Sequence, residues 1–186
     1  WEYDWRIGYE TADKYKSWSS EGYERRFAKI AGSYYPIDSF KLSYSFRVRE
    51  EDEWLNWIDG NELAVYDLTQ KIISFNMNWF KGRKHEVRLK SQFVALDAEN
   101  PISLISNSDG YLFNHTSDVK PFTQGIASFQ IRYKYEIAPL SYIYAVYTKG
   151  GRVYDDENER NTSKVFKDPW NNPDNEIFSL KFRLKF

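Results

Sequence analysis

The chain contains no cysteine, which excludes disulfide frameworks and thiolate metal sites without favouring any compartment. It has two histidines, His85 and His115, so imidazole chemistry has few places to reside. A formal net charge of -1 leaves no basic excess to neutralise phosphates, and on that ground nucleic acid is not expected as a partner. No run of about 18 apolar residues occurs, so no membrane-crossing helix is expected. Nor does a leader-like segment open the 186 residues. They begin Trp1-Glu2-Tyr3-Asp4-Trp5, already in strand pattern, and read as a processed, truncated or partial chain.

Aromatic residues are abundant, at 19% of the chain, although the mean hydropathy is -0.72. Aromatics favour strands, and Trp and Tyr also collect at membrane–water interfaces. A low average hydropathy does not exclude a membrane protein, because the two faces of a barrel strand alternate and cancel. That alternation is the dominant signal. Trp1, Tyr3, Trp5, Ile7 and Tyr9 fall on one face, with Glu2, Asp4, Arg6 and Glu10 on the other. Phe40, Leu42, Tyr44, Phe46 and Val48 oppose Lys41, Ser43, Ser45, Arg47 and Arg49. The pattern returns over 73–79, 86–95, 129–137 and 178–186, and more weakly over 23–35 and 141–149, which predicts eight strands and no sustained helical period.

Tight turns are expected at Tyr35-Pro36-Ile37-Asp38, Lys81-Gly82-Arg83-Lys84 and Ala138-Pro139-Leu140-Ser141. Between them lie long polar connections at about 11–22, 50–70, 97–121 and 150–175. Short and long connections therefore alternate, placing all tight turns at one end of a meander and all long loops at the other. Outer-membrane barrels have this asymmetry. The expected fold is an all-β, antiparallel, up-and-down transmembrane β-barrel over 1–186, with eight strands that either close on themselves or are the last eight of a larger barrel.

Alternation alone is equally compatible with a soluble ligand-binding barrel that is apolar inside. Three features favour an apolar exterior. The polar strand face is rich in Arg, Lys and Glu, which a wet or ion-paired interior tolerates. Large aromatics gather near the tight turns, with Tyr34, Phe40, Trp79, Tyr135, Tyr142 and Phe186 as an expected interfacial girdle. The closing strand also ends on Phe186, which this arrangement puts at the periplasmic boundary. The expected partners are outer-membrane lipid and lipopolysaccharide, the barrel-assembly machinery through the terminal strand, and a partner protein or further strands at the open edges.

Three segments carry a family resemblance. They are His85-Glu86-Val87-Arg88-Leu89-Lys90 leading to Phe93-Val94-Ala95-Leu96-Asp97-Ala98; Phe129 through Ser141 leading to Val146-Tyr147-Thr148-Lys149-Gly150-Gly151; and Phe178 through Phe186. Together they resemble the carboxy-terminal part of a family of large outer-membrane proteins of unknown function. Its members join an amino-terminal carbohydrate-binding family 9-like domain to a carboxy-terminal barrel. The resemblance implies a scaffold or transport barrel in the bacterial outer membrane, linked to carbohydrate or nutrient handling. The family's sugar-binding association has no residues in this chain to rest on.

The candidate lumen-facing residues are Arg47, Arg88, Lys90, Arg132, Lys134, Lys181, Arg183 and Lys185, interrupted by Glu86 and Glu136. In a wide barrel such a wall favours anionic solutes; in a narrow one it forms an ion-pair network, the commoner arrangement. The rival function is an outer-membrane hydrolase using His115, Ser117 and Asp118, but all three lie in one loop, and no catalytic residue is assigned. The acidic run Asp155-Asp156-Glu157-Asn158-Glu159, with Asp168, Asp174 and Glu176, matches no defined calcium loop, so neither a metal nor another cofactor is expected. Trp54, Trp57 and Trp170 are read as loop-packing aromatics before sugar-stacking ones.

Overall fold

The computed structural model describes residues 1–12, 23–155 and 162–185. Nine strands form one antiparallel sheet: β1 (Glu2–Ala12), β2 (Tyr23–Ile37), β3 (Phe40–Asp59), β4 (Glu62–Lys81), β5 (His85–Ser106), the short β6 (Leu112–Asn114), β7 (Phe122–Ala138), β8 (Ser141–Asp155) and β9 (Asn175–Arg183). The order is sequential, with β6 paired beside the end of β5. A helix, α1 (Thr162–Asn171), precedes β9. Among the described residues β1 pairs with β2 and β9 with β8, and each has a second, unpaired edge.

The up-and-down all-β sheet agrees with the alternation, and the tight turns fall where expected, at Asp38–Ser39, Gly82–Lys84 and Pro139–Leu140. Four expectations change. Nine strands form where eight were expected, the short β6 being the addition, and β5 runs on to Ser106 within the expected connection 97–121. The segment 50–70 is not a loop: β3 and β4 run through it and meet in a two-residue turn, where Gly60 has φ 50° and donates its N–H to Asp59 Oδ1 at 2.8 Å. The region 150–175 contains α1, whose Val165, Phe166, Pro169 and Trp170 recur at helical spacing. Part of the expected connections, 13–22 and 156–161, lies outside the described residues, as does Phe186.

Cross-strand pairs share a face, so the register defines two continuous surfaces. From Tyr3 the pairs run through Gly32, Tyr44, Phe75, Ser91, Phe129 and Lys149 to Glu176. Counted from the tight turns, Gly32 lies about six residues in and Lys149 about nine, so the path runs obliquely across the strands.

This surface, the apolar face, carries Phe40, Leu42, Tyr44, Phe46 and Val48 on β3, paired through to Trp79, Met77, Phe75 and Ile73 on β4. It stays largely uncovered: Phe178, Leu180 and Phe182 are 68%, 53% and 57% exposed. Where β2 offers Gly32, the Tyr44 ring lies across the bare backbone and fills the place of a side chain.

Helix α1 covers one corner of the same face. Pro169 has no N–H to engage the Val165 carbonyl, and that carbonyl rests against Gly125 of β7. The Pro169 carbonyl rests against Gly151 of β8. Trp170 completes the contact, edge-on to Phe129 at 5.6 Å, beside Phe93 at 6.2 Å and under the Lys149 ammonium at 4.9 Å. A methyl group at either glycine collides with helix backbone, which cannot rotate away. Gly125→Ala or Gly151→Ala is therefore expected to lift α1 and raise acrylamide quenching of Trp170 fluorescence, measured against a Trp170→Phe background. Unchanged quenching in both variants contradicts this packing.

Candidate functional site

The opposite face is polar along the tight-turn half of the strands. Ser33 and Ser43 share a hydroxyl hydrogen bond at 2.8 Å, Gln92 reaches Ser74, and Gln130 reaches Thr148. Lys29 pairs with Asp4 at 3.2 Å. Arg47 stands beside Lys29 in the register, and Arg88, Lys90, Arg132, Lys134, Lys181 and Arg183 occupy the same face of β5, β7 and β9. Lys185 follows the last ladder pair, and its backbone N–H donates to Ser141 Oγ at 3.0 Å.

Near the tight turns, Glu86 of β5 is shared by two cations. Arg88 Nε contacts one oxygen and Lys134 Nζ stands 3.7 Å from the other. The Lys134 ammonium also lies over the Tyr142 ring, 4.5 Å from its centroid. This corrects the expected girdle: Tyr142 pairs with Glu136 and belongs to the polar face. The sequence of 141–149 is apolar in both phases, so only the register could place it. Tyr34, Phe40, Trp79 and Tyr135 do share the apolar face. Sequence reasoning missed His85 as their neighbour: it stacks on Tyr135 at 4.8 Å, and its Nδ1 is 2.6 Å from the Tyr133 hydroxyl.

At the long-connection end the polar face turns apolar. Ala64, Tyr66, Ala98 and Phe122 form a buried cluster, with Trp54 and Val119 packed on it. Phe122 meets Tyr66 edge-on at 5.2 Å and stacks on Tyr154 at 5.0 Å. Burial, with a smaller contribution from Tyr154, pushes the Tyr66 hydroxyl up to about 12. Two β-bulges arrange this reversal. Asp52 and Glu53 together oppose Asp67, turning Trp54 onto the face that holds Tyr66. Asn100 and Pro101 oppose Tyr66, which brings Ser103 onto the same face. Glu53 and Asn100 adopt φ of 58° and 48°, and Asn100 Nδ2 anchors its bulge to Asp67 Oδ2 at 2.8 Å.

The segment after β6 lies over this cluster, tied by Ser117 Oγ to Ser103 Oγ at 2.8 Å. His115 Nε2 is 3.6 Å from Glu62 Oε1. The three residues of the rival hydrolase reading thus do not form a relay: His115 faces Glu62 while Ser117 is held by Ser103. Asp174 accepts the Arg152 N–H at 2.8 Å and Glu176 accepts the Tyr147 hydroxyl at 2.6 Å, so both are engaged in protein contacts. Among the described residues no cluster of His, Asp and Glu could hold a metal ion. Of the loop tryptophans, Trp54 and Trp170 pack, whereas Trp57 is 62% exposed at the hairpin tip, with Nε1 donating to Gly60 O at 3.0 Å.

Between cluster and polar wall sits Glu51, 6% exposed, within 3.3 Å of Arg25 and 3.6 Å of Arg49. Comparison with protein families, with curated proteins and with solved structures gives no match.

Two substitutions test this construction. Glu51→Ala leaves two guanidiniums facing each other at a buried position and is expected to destabilise the fold by about 3 kcal/mol, whereas Glu50→Ala, at an exposed site, changes it little. Phe122→Ala opens the aromatic cluster and is expected to cost about 3–5 kcal/mol. Denaturant unfolding followed by tryptophan fluorescence reads both; equal effects of the two glutamate variants contradict the assignment.

Proposed function

We propose that this sheet is the wall of a bacterial outer-membrane β-barrel, its apolar face toward lipid and its polar face lining the interior, acting as a transport or scaffold barrel. The observation that carries the reading is the height and limit of the apolar face. Where α1 does not cover it, the apolar face runs from Phe40 to Val48 on β3, about nine residues, which at a barrel strand's usual tilt of roughly 40° is about 23 Å, close to the height of a barrel's lipid-facing band. Above that band apolar packing moves to the other face, as expected where a strand leaves lipid and enters water. There, an interior is what a soluble protein buries. The oblique course of the register across the strands supports the same reading.

Lipid does not tolerate unpaired strand edges, so the free edges of β1 and β9 require each other, further strands or a partner protein. The terminal strand β9 is the natural contact for barrel-assembly machinery. The resemblance to outer-membrane proteins with a carbohydrate-binding family 9-like domain is compatible with nutrient handling, although no residue here is assigned to sugar.

The absence of cysteine makes the test direct. Single-cysteine variants at Phe75 and Asn76, Leu89 and Lys90, and Ile131 and Arg132 are placed in lipid vesicles. Labels at 75, 89 and 131 should be quenched by brominated acyl chains, and those at 76, 90 and 132 should react with a water-soluble thiol reagent. Uniform aqueous reactivity, or a protein that stays dissolved without detergent, overturns the reading in favour of a soluble barrel.

A further inference from the structure

The wall formed by β5, β7, β8 and β9 near the tight turns is not charge-balanced. Arg88 and Arg132 are direct cross-strand partners on the polar face. Like charges so placed oppose strand pairing. Their row continues through uncharged neighbours, with Asn78 beside Arg88 and then Val146 and Ser179 beyond Arg132. The next row toward the loops adds Lys90, opposite Asn76 and Gln130. The row toward the turns holds Lys134 and, beyond Tyr144, Lys181. Arg183 follows in the last row. The carboxylates facing this region are Glu86, already divided between Arg88 and Lys134, and Glu136, one row further toward the turn. Among the described residues no ion pair engages Arg132.

Between these side chains lies a recess of about 190 Å³ lined by Glu86, Arg88, Arg132, Lys134 and Tyr144. It offers two guanidinium forks, an ammonium and a phenolic hydroxyl, all capable of donating hydrogen bonds. Paired guanidiniums match the geometry of a tetrahedral oxyanion, each able to present two parallel N–H groups. We propose that this recess binds a phosphoryl oxyanion, inorganic phosphate or the phosphate of a small ester, which bridges Arg88 and Arg132 and relieves their repulsion. The recess is defined by the register of the sheet and does not depend on the membrane reading. That reading determines only the source: on an interior wall the ligand is a dissolved solute, whereas a lipid headgroup would require this face to meet the bilayer.

The experiment uses the full chain folded in uncharged detergent, with thermal unfolding followed at constant ionic strength. Replacing chloride by inorganic phosphate should raise the midpoint by roughly 3–6 °C at phosphate tenfold above its dissociation constant. Arg132→Gln should abolish that shift. Without phosphate, this variant should unfold no earlier than the wild type, because it loses a repulsion. Arg47→Gln, on the distant β3, should keep the full phosphate response. A shift of equal size in Arg132→Gln, or no shift in the wild type, overturns the site. Stabilisation by phosphatidylglycerol micelles but not by free phosphate overturns the dissolved-solute assignment. If phosphate binds while the alternating lipid and water labels fail, the site stands and the membrane reading falls.

Discussion

Everything in this molecule depends on one constraint of the β-ladder: residues paired across strands point to the same side, and their neighbours along the chain point to the other. No layered core backs this sheet across most of its area. Large side chains on the apolar face lie against each other within the sheet plane, as Tyr44 does over Gly32 and Trp1 does against Tyr34 at 4.1 Å. Order in such a structure comes from backbone hydrogen bonds and cross-strand pairs, each contributing fractions of a kcal/mol. The sheet is therefore as good as its register, and a slip of one residue would exchange its two faces.

The chemistry of the two faces follows from that arrangement. Packed apolar matter occurs in two places, on opposite sides. Helix α1 seats Trp170 on the apolar face of β5, β7 and β8. The Tyr66–Phe122 cluster is buried on the polar side at the long-connection end, beneath the segment that Ser117 fastens to Ser103. In a barrel that segment would lie at the mouth of the interior, so that access from the long-loop side is narrowed by aromatic packing while the cationic recess lies deeper, near the tight turns. These two features divide the polar face into an apolar end and a charged wall, with buried Glu51 at the junction.

Much of this was legible in the sequence, because period-two alternation survives wherever a strand separates two environments. The strands at 40–48, 73–79, 86–95 and 129–137 and the three tight turns were readable for that reason. What was hidden has physical causes. The segment 50–70 looked like a polar connection because its bulges break the alternation at Asp52-Glu53, although Asp59-Gly60 was a hairpin signal in plain view. Helix α1 carries its apolar residues in a short stretch containing Pro169, so a helical period is faint. Nearness to a tight turn suggests a girdle position for Tyr142, but 141–149 is apolar in both phases, and cross-strand pairing with Glu136 alone reveals its side. The cationic residues were found from alternation, but the direct opposition of Arg88 and Arg132 is a matter of register between strands some forty residues apart in sequence, which no local pattern contains.

The two bulges also make the upper hairpin behave like text with a reading frame. Each inserts one residue against its partner strand, and each thereby selects which side Trp54 and Ser103 address. Removing Glu53 alone would close the bulge into a regular ladder, with Asp52 opposite Asp67 and Trp54 still opposite Tyr66. Removing Asp52 and Glu53 together would bring Trp54 opposite Asp67 and turn it to the other face. The bulge is thus a spare letter: the strand can lose one residue there and keep its sense, but it cannot lose two.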